Sequence, residues 1–256
     1  MASKDMGRAS REKTRPSLFW LLAVFVVPFV SFAAKLEFRG RDKLPKDGAF
    51  VLAPNHYSEF DPLIVAVAVW RLGRAPRFMA KESLFRVPVL GWALRKTGMI
   101  PVARSSSASA AKLTLKQSAE LVEHGRGVIV YPEGTLTRDP DLWPMRGKSG
   151  AVRLALAGDI PLIPMVQWGT QEIMGRYAKG LSLWPPRKRV QVVVGDPVDL
   201  SDLRERAGER GTLTEATDRL MAAITALLEE VRGEKAPAQR WNPSEHGQRE
   251  TGRLDS

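Results

Sequence analysis

Between two apolar runs, AFVLAP (49–54) and PLIVAVAVW (62–70), the chain places the polar stretch NHYSEFD (55–61). It contains one of only three histidines, His56, with Asp61 five positions later. A loop folded back on itself brings the carboxylate to the Nδ1–H of the imidazole. That fixes the tautomer and leaves Nε2 free to take a proton from a hydroxyl. The plainer reading is a polar loop turning a strand into a helix, with Asp61 as N-cap ahead of Pro62. Ser58 raises a serine-hydrolase alternative, but no G-x-S-x-G elbow occurs, and GKSGA (147–151) is one residue short of it.

Two further stretches could supply binding groups. GMIPVAR (98–104) ends an apolar run on Arg104, and VYPEGTLTRD (130–139) places Glu133, Gly134 and Thr135 at the end of another. In parallel α/β sheets the loops at the carboxyl ends of the strands form the ligand crevice. His56, Arg104 and Glu133 converge there if their strands are neighbours. A guanidinium in that crevice suits a phosphate. Glu133, itself an anion, would clamp Arg104 or accept a bond from a substrate hydroxyl. The chain has no cysteine, which excludes disulfides, thiolate metal sites and a cysteine nucleophile. His124 and His246 lie far apart without ligand-like neighbours, so no metal site is expected.

The elements that must position these groups alternate between strand and helix. KLEFRG (35–40) reads as an edge strand, and AFVLAP and GVIVYPEG (127–134) as buried ones. IPLIPMVQWG (160–169) and the strictly alternating RVQVVVG (189–195) read as further strands. AKLTLKQSAELVEHG (111–125) and GAVRLALAGD (150–159) read as helices. A last helix is expected after a capping box of Thr212 and Glu215, with apolar residues at Ala216, Leu220, Ile224, Leu227 and Val231. The pattern implies an α/β domain over 35–233, a mostly parallel sheet covered by helices, followed by a disordered polar tail over 234–256.

Ahead of it, residues 1–16 are basic and SLFWLLAVFVVPFVSFAA (17–34) carries no charge. Three readings compete, a cleaved signal peptide, a transmembrane helix of marginal length, and a membrane-seated helix interrupted at Pro28; the last is expected, making residues 1–34 a basic flank and membrane-associated segment. The 256 residues carry a formal charge of +11, which calls for an anionic partner. No zinc-finger spacing, RNP-like stretch or basic heptad region points to nucleic acid. Together with the apolar segment, the charge favours an anionic membrane surface and phosphorylated small molecules.

NHYSEFD, GMIPVAR, YPEGT and IPLIPMV occur in the order, and at about the separations, of the four motifs of the glycerolipid acyltransferase family. FRGRDKLPKDGAFVLAPNH and FMAKESLFRVPVLGW (78–92) are similar to that family as well, so the resemblance covers about residues 35–200. Within the family the chain looks most like bacterial 1-acyl-sn-glycerol-3-phosphate acyltransferases. The resemblance implies His56 as general base and Asp61 as its partner. It implies that Arg104, with Glu133, Gly134 and Thr135, holds the glycerol phosphate, and Lys81 and Lys148 match basic positions of the family. Many members carry Arg directly after Glu-Gly-Thr, where this chain has Leu136; Arg138 is the candidate substitute. The implied reaction moves a fatty acyl group from acyl-CoA or acyl carrier protein to lysophosphatidic acid. The thioester is a co-substrate, and no cofactor is implied. The expected location is the cytoplasmic face of the cell membrane, where thioester donors are found. Another acceptor, or an idle membrane-binding member of the fold, remains an alternative.

Overall fold

The computed structural model describes residues 17–102, 108–206, 209, 211–250 and 252, with only the backbone for Lys81, Val102 and 108–111. Seven strands are assigned among them: β1 (Ala34–Arg39), β2 (Phe50–Pro54), β3 (Met79–Lys81), β4 (Ile100–Val102), β5 (Gly127–Ile129), β6 (Leu162–Trp168) and β7 (Lys188–Val194). The helices are α1 (Leu18–Ala33), α2 (Asp61–Arg71), α3 (Pro88–Lys96), α4 (Ala108–Glu123), α5 (Gly150–Gly158), α6 (Ser201–Arg204) and α7 (Thr212–Arg232).

The main sheet runs β1-β7-β6-β2-β5 and is parallel except for the β6–β7 pair. β2 pairs with β5 in the register Phe50↔Gly127, so the loops that follow these two strands open at the same end. A two-stranded parallel sheet, β3–β4, continues beyond β5 through a bridge from Phe78 to Ile129. The strand–helix alternation of the sequence is therefore realised as an α/β fold with a mostly parallel sheet.

β2 is buried along its whole length, as a central strand covered on both faces must be. Its side chains divide with period two. Val51 and Ala53 join a core with α5 and α7, including Leu154, Leu220, Ile224 and Leu228. Phe50 and Leu52 join a second core on the other face, with Val30 of α1 and Ile64, Val65 and Ala68 of α2. The capping box at Thr212 does not form. Gly211 is the N-cap, Thr212 Oγ1 donates to the Arg206 carbonyl, and Glu215 pairs with Arg219.

The N-terminal apolar segment is corrected in one respect. α1 leads directly into β1, and its Phe19, Val30 and Ala33 are buried against the domain, so the folded unit begins before Lys35. Trp20 meets Trp70 edge-on at 5.5 Å, and Arg71 donates to Ser31 Oγ across the α1–α2 contact at 2.7 Å. The opposite side leaves Leu21, Val24, Phe25 and Phe32 exposed. Among the described residues no helix is long and apolar enough to cross a membrane.

The polar segment from Glu234, read from the sequence as disordered, lies along the domain as far as it is described. Arg240 pairs with Asp218, and the Trp241 carbonyl accepts from Arg146 N–H at 2.9 Å. Trp241 stacks on His246 at 3.6 Å, and Asn242 caps the short turn Pro243–His246. Isolated contacts of this kind leave no hydrophobic period in a sequence, which is why composition alone suggested disorder.

Candidate active site

β2 ends at Pro54, and the next two residues carry its direction onward. Asn55 exchanges two hydrogen bonds with the backbone of Gln167, extending the β2–β6 ladder by a side chain. The chain then turns into α2, and the turn is organised by Asp61. Its Oδ2 accepts from His56 Nδ1 at 3.0 Å, Tyr57 N at 2.7 Å and Ser58 N at 2.8 Å. Asp61 is the first residue of α2 rather than its N-cap, a place taken by Phe60, and its carboxylate is fully buried. A carboxylate only accepts, so Nδ1 must be the protonated nitrogen, and Nε2 carries the free lone pair.

The imidazole keeps 15 % of its surface exposed, and His56 is held through both its ring and its backbone. The Tyr131 ring stacks on it at 4.0 Å between centroids. The Glu133 Oε1 accepts from the His56 backbone N–H at 3.0 Å, and Thr137 N–H donates to the His56 carbonyl at 2.7 Å. The second Glu133 oxygen accepts from Met145 N–H at 3.0 Å. Glu133 thus joins the β2 loop to the 145–148 loop. Both of its oxygens are engaged and the residue is fully buried, so among the described residues its part is to tie these two loops together, while Arg104, its expected partner, lies outside them. Burial pushes its carboxyl up to about 8, against the lowering effect of the two N–H donors. Ser58 is also structural. It is buried, and its hydroxyl donates to the Met174 carbonyl.

Gly134 follows at φ 71°, a conformation that side chains rarely adopt, and the Lys148 stem lies across it. A Cβ on Gly134 would stand 3.2 Å from Lys148 Cδ. Leu136, at the position where arginine was expected, is buried. Arg138 is also buried, with only 2 % of its surface exposed. Its Nη2 donates to the Gly252 carbonyl at 3.1 Å, while Nε and Nη1 have no hydrogen-bond partner among the described residues. Thr135 Oγ1 donates to the same carbonyl at 3.2 Å. Arg176 fixes this loop by donating to the carbonyls of Thr137 and Asp139, a role with no sequence signal. Lys81 belongs to β3, and Arg104 lies outside the described residues.

The site therefore joins a proton acceptor, oriented by a buried carboxylate, to a loop carrying a buried guanidinium and a lysine. Such a set can activate a hydroxyl whose molecule also carries an anionic group. Residues 35–168, just over half of the chain, match the acyltransferase family, and the chain belongs to that family. It is similar to a chloroplastic 1-acyl-sn-glycerol-3-phosphate acyltransferase of Brassica napus, 32 % identical over 62 % of this chain and 43 % of that one. The alignment thus spans less than half of the plant relative's length. A 1-acyl-sn-glycerol-3-phosphate acyltransferase of Streptococcus pneumoniae is 27 % identical over 87 % of this chain and 78 % of its own. The fold is similar to the crystal structure of a 1-acyl-sn-glycerophosphate acyltransferase, PlsC, from Thermotoga maritima. The TM-score is 0.62 at 22 % identity, over 91 % of this chain and 86 % of that one.

Proposed function

We propose that this acyltransferase moves a fatty acyl group from a thioester, acyl-CoA or acyl carrier protein, to the free sn-2 hydroxyl of 1-acyl-sn-glycerol 3-phosphate, giving phosphatidic acid. The observation that carries the reading is the His56–Asp61 pair, bonded through the His56 carbonyl to Thr137, the residue before a buried guanidinium, Arg138, that lacks a carboxylate partner among the described residues. Nε2 takes the hydroxyl proton as the oxygen attacks the thioester carbonyl. The C–S bond then breaks, and the imidazolium returns the proton to the departing thiolate. No acyl-enzyme enters this sequence, and Ser58 is buried and committed to Met174. The names of the similar bacterial and plant proteins support the acceptor.

Arg138, Thr135 and Lys148 are the headgroup site in this reading, with Arg104 and Lys81 as further phosphate ligands. Arg138 takes over from the arginine absent at Leu136. The exposed side of α1 seats the enzyme in the cytoplasmic leaflet of the cell membrane, where its acceptor is embedded and its donors arrive. The substitution at Leu136 favours a second reading, in which the same chemistry serves another acceptor. Purified protein assayed with one acyl-CoA against lysophosphatidic acid, glycerol 3-phosphate and a neutral lysophospholipid tests both. Preference for lysophosphatidic acid supports the proposal. Transfer only to an acceptor without phosphate would overturn the headgroup assignment.

A further inference from the structure

We propose that the C-terminal segment is an intramolecular competitor of the acceptor's phosphate, a strap that must leave before the headgroup can bind. The proposal rests on the reading of Thr135, Arg138 and Lys148 as the headgroup site. All three donate to one stretch of the chain's own backbone. Thr135 Oγ1 and Arg138 Nη2 share the Gly252 carbonyl, and Lys148 Nζ donates to the Glu250 carbonyl at 3.2 Å. The Glu250 carboxylate adds an ion pair with Arg146 at 3.7 Å. Upstream, the strap is fixed by the Arg146–Trp241 backbone bond and by the Trp241–His246 stack. Pro243 and Glu250 of the strap also line a cavity of about 530 Å³ together with Arg146, Lys148 and Arg153.

The strap is a poor occupant of the site it covers. One carbonyl satisfies a single nitrogen of a buried guanidinium and leaves Nε and Nη1 unmatched. The donor is ionised in either case, but a phosphate adds its own negative charge and engages a guanidinium through two oxygens at once, which a single neutral carbonyl cannot do. A carbonyl dipole thus holds the site only until a phosphate dianion arrives. The contacts beyond Arg138 are exposed, so the strap is released without unfolding the domain.

The test compares the full chain with a variant ending at Gln248, which keeps the capped turn, and with Glu250→Lys, which reverses the ion pair. If the strap covers the site about nine-tenths of the time, truncation lowers the KM for lysophosphatidic acid about tenfold with kcat unchanged. Glu250→Lys shifts it the same way by a smaller factor. In the full chain, millimolar glycerol 3-phosphate should speed tryptic cleavage after Arg249, while equimolar glycerol should not. An unchanged or raised KM in a folded truncated enzyme overturns the proposal. So does a tryptic rate insensitive to glycerol 3-phosphate, which stays decisive if truncation prevents folding. Arg138→Ala in the truncated chain separates the two readings. If it leaves the acceptor KM unchanged, the headgroup assignment fails; if it raises KM while truncation alone does nothing, only the strap fails.

Discussion

Replacing Glu133 by glutamine asks whether that carboxyl builds the site or touches the substrate. Its two oxygens accept from His56 N and Met145 N, each at 3.0 Å. Glutamine offers one carbonyl oxygen, so one of those N–H groups faces an NH₂ and is left unpaired. An orphaned buried N–H costs about 1–3 kcal/mol. The native carboxyl carries an opposing burden, because burial raises it from 4.5 to about 8. A group that holds its proton more tightly when folded stabilises the protein fully below its unfolded value. That contribution is lost as pH rises from 4.5 through about 8. At about 1.4 kcal/mol per pH unit, the interval is worth up to about 5 kcal/mol. Glu133→Gln lacks this slope. Its deficit against the native chain should be largest near about pH 5 and should shrink or reverse by about pH 9. Urea denaturation across that range measures it, alongside kcat and KM for lysophosphatidic acid near neutral pH. A lower kcat with KM within about twofold fits a residue that positions His56. Parallel stability curves for the two proteins would refute the buried neutral carboxyl. A raised KM at unchanged kcat would mean that Glu133 contacts the acceptor.

Asp61→Asn keeps an oxygen toward the Tyr57 and Ser58 N–H groups and His56 Nδ1–H, with its NH₂ at the Oδ1 position, but removes the negative charge that stabilises an imidazolium at His56. The expected loss in kcat is about 10² to 10⁴, and full activity in a folded protein would contradict the need for a charged partner at His56. Phe25→Ser lies on the exposed side of α1, where a surface change should alter stability by no more than about 0.5 kcal/mol. Binding to anionic vesicles should fall about tenfold or more if that ring enters the bilayer, and unchanged sedimentation with vesicles would remove α1 from the membrane contact.

The central strands were legible because burial on both faces forces continuous apolar runs, as in AFVLAP and IPLIPMV. The His56–Asp61 pair was legible because a five-residue spacing is short enough for a loop to close on itself. The burial of Asp61 was not, because helix caps and buried ion-pair partners use the same residue at the same point. The part of Glu133 in joining two loops was not legible either, because only the tertiary fold brings His56 N–H and Met145 N–H to its two oxygens. Arg176 and the C-terminal segment act through single backbone bonds over long sequence separations, which neither periodicity nor composition registers. α1 showed its apolar character in sequence, but not the division between a face packed on α2 and a face left exposed.

The most direct measurement is acyl transfer from acyl-CoA to lysophosphatidic acid by the purified chain and by His56→Ala, with folding of both checked by thermal denaturation. The account predicts turnover by the native chain and a fall of about 10² to 10⁴ in kcat for a variant of unchanged fold. Comparable turnover by folded His56→Ala would contradict it.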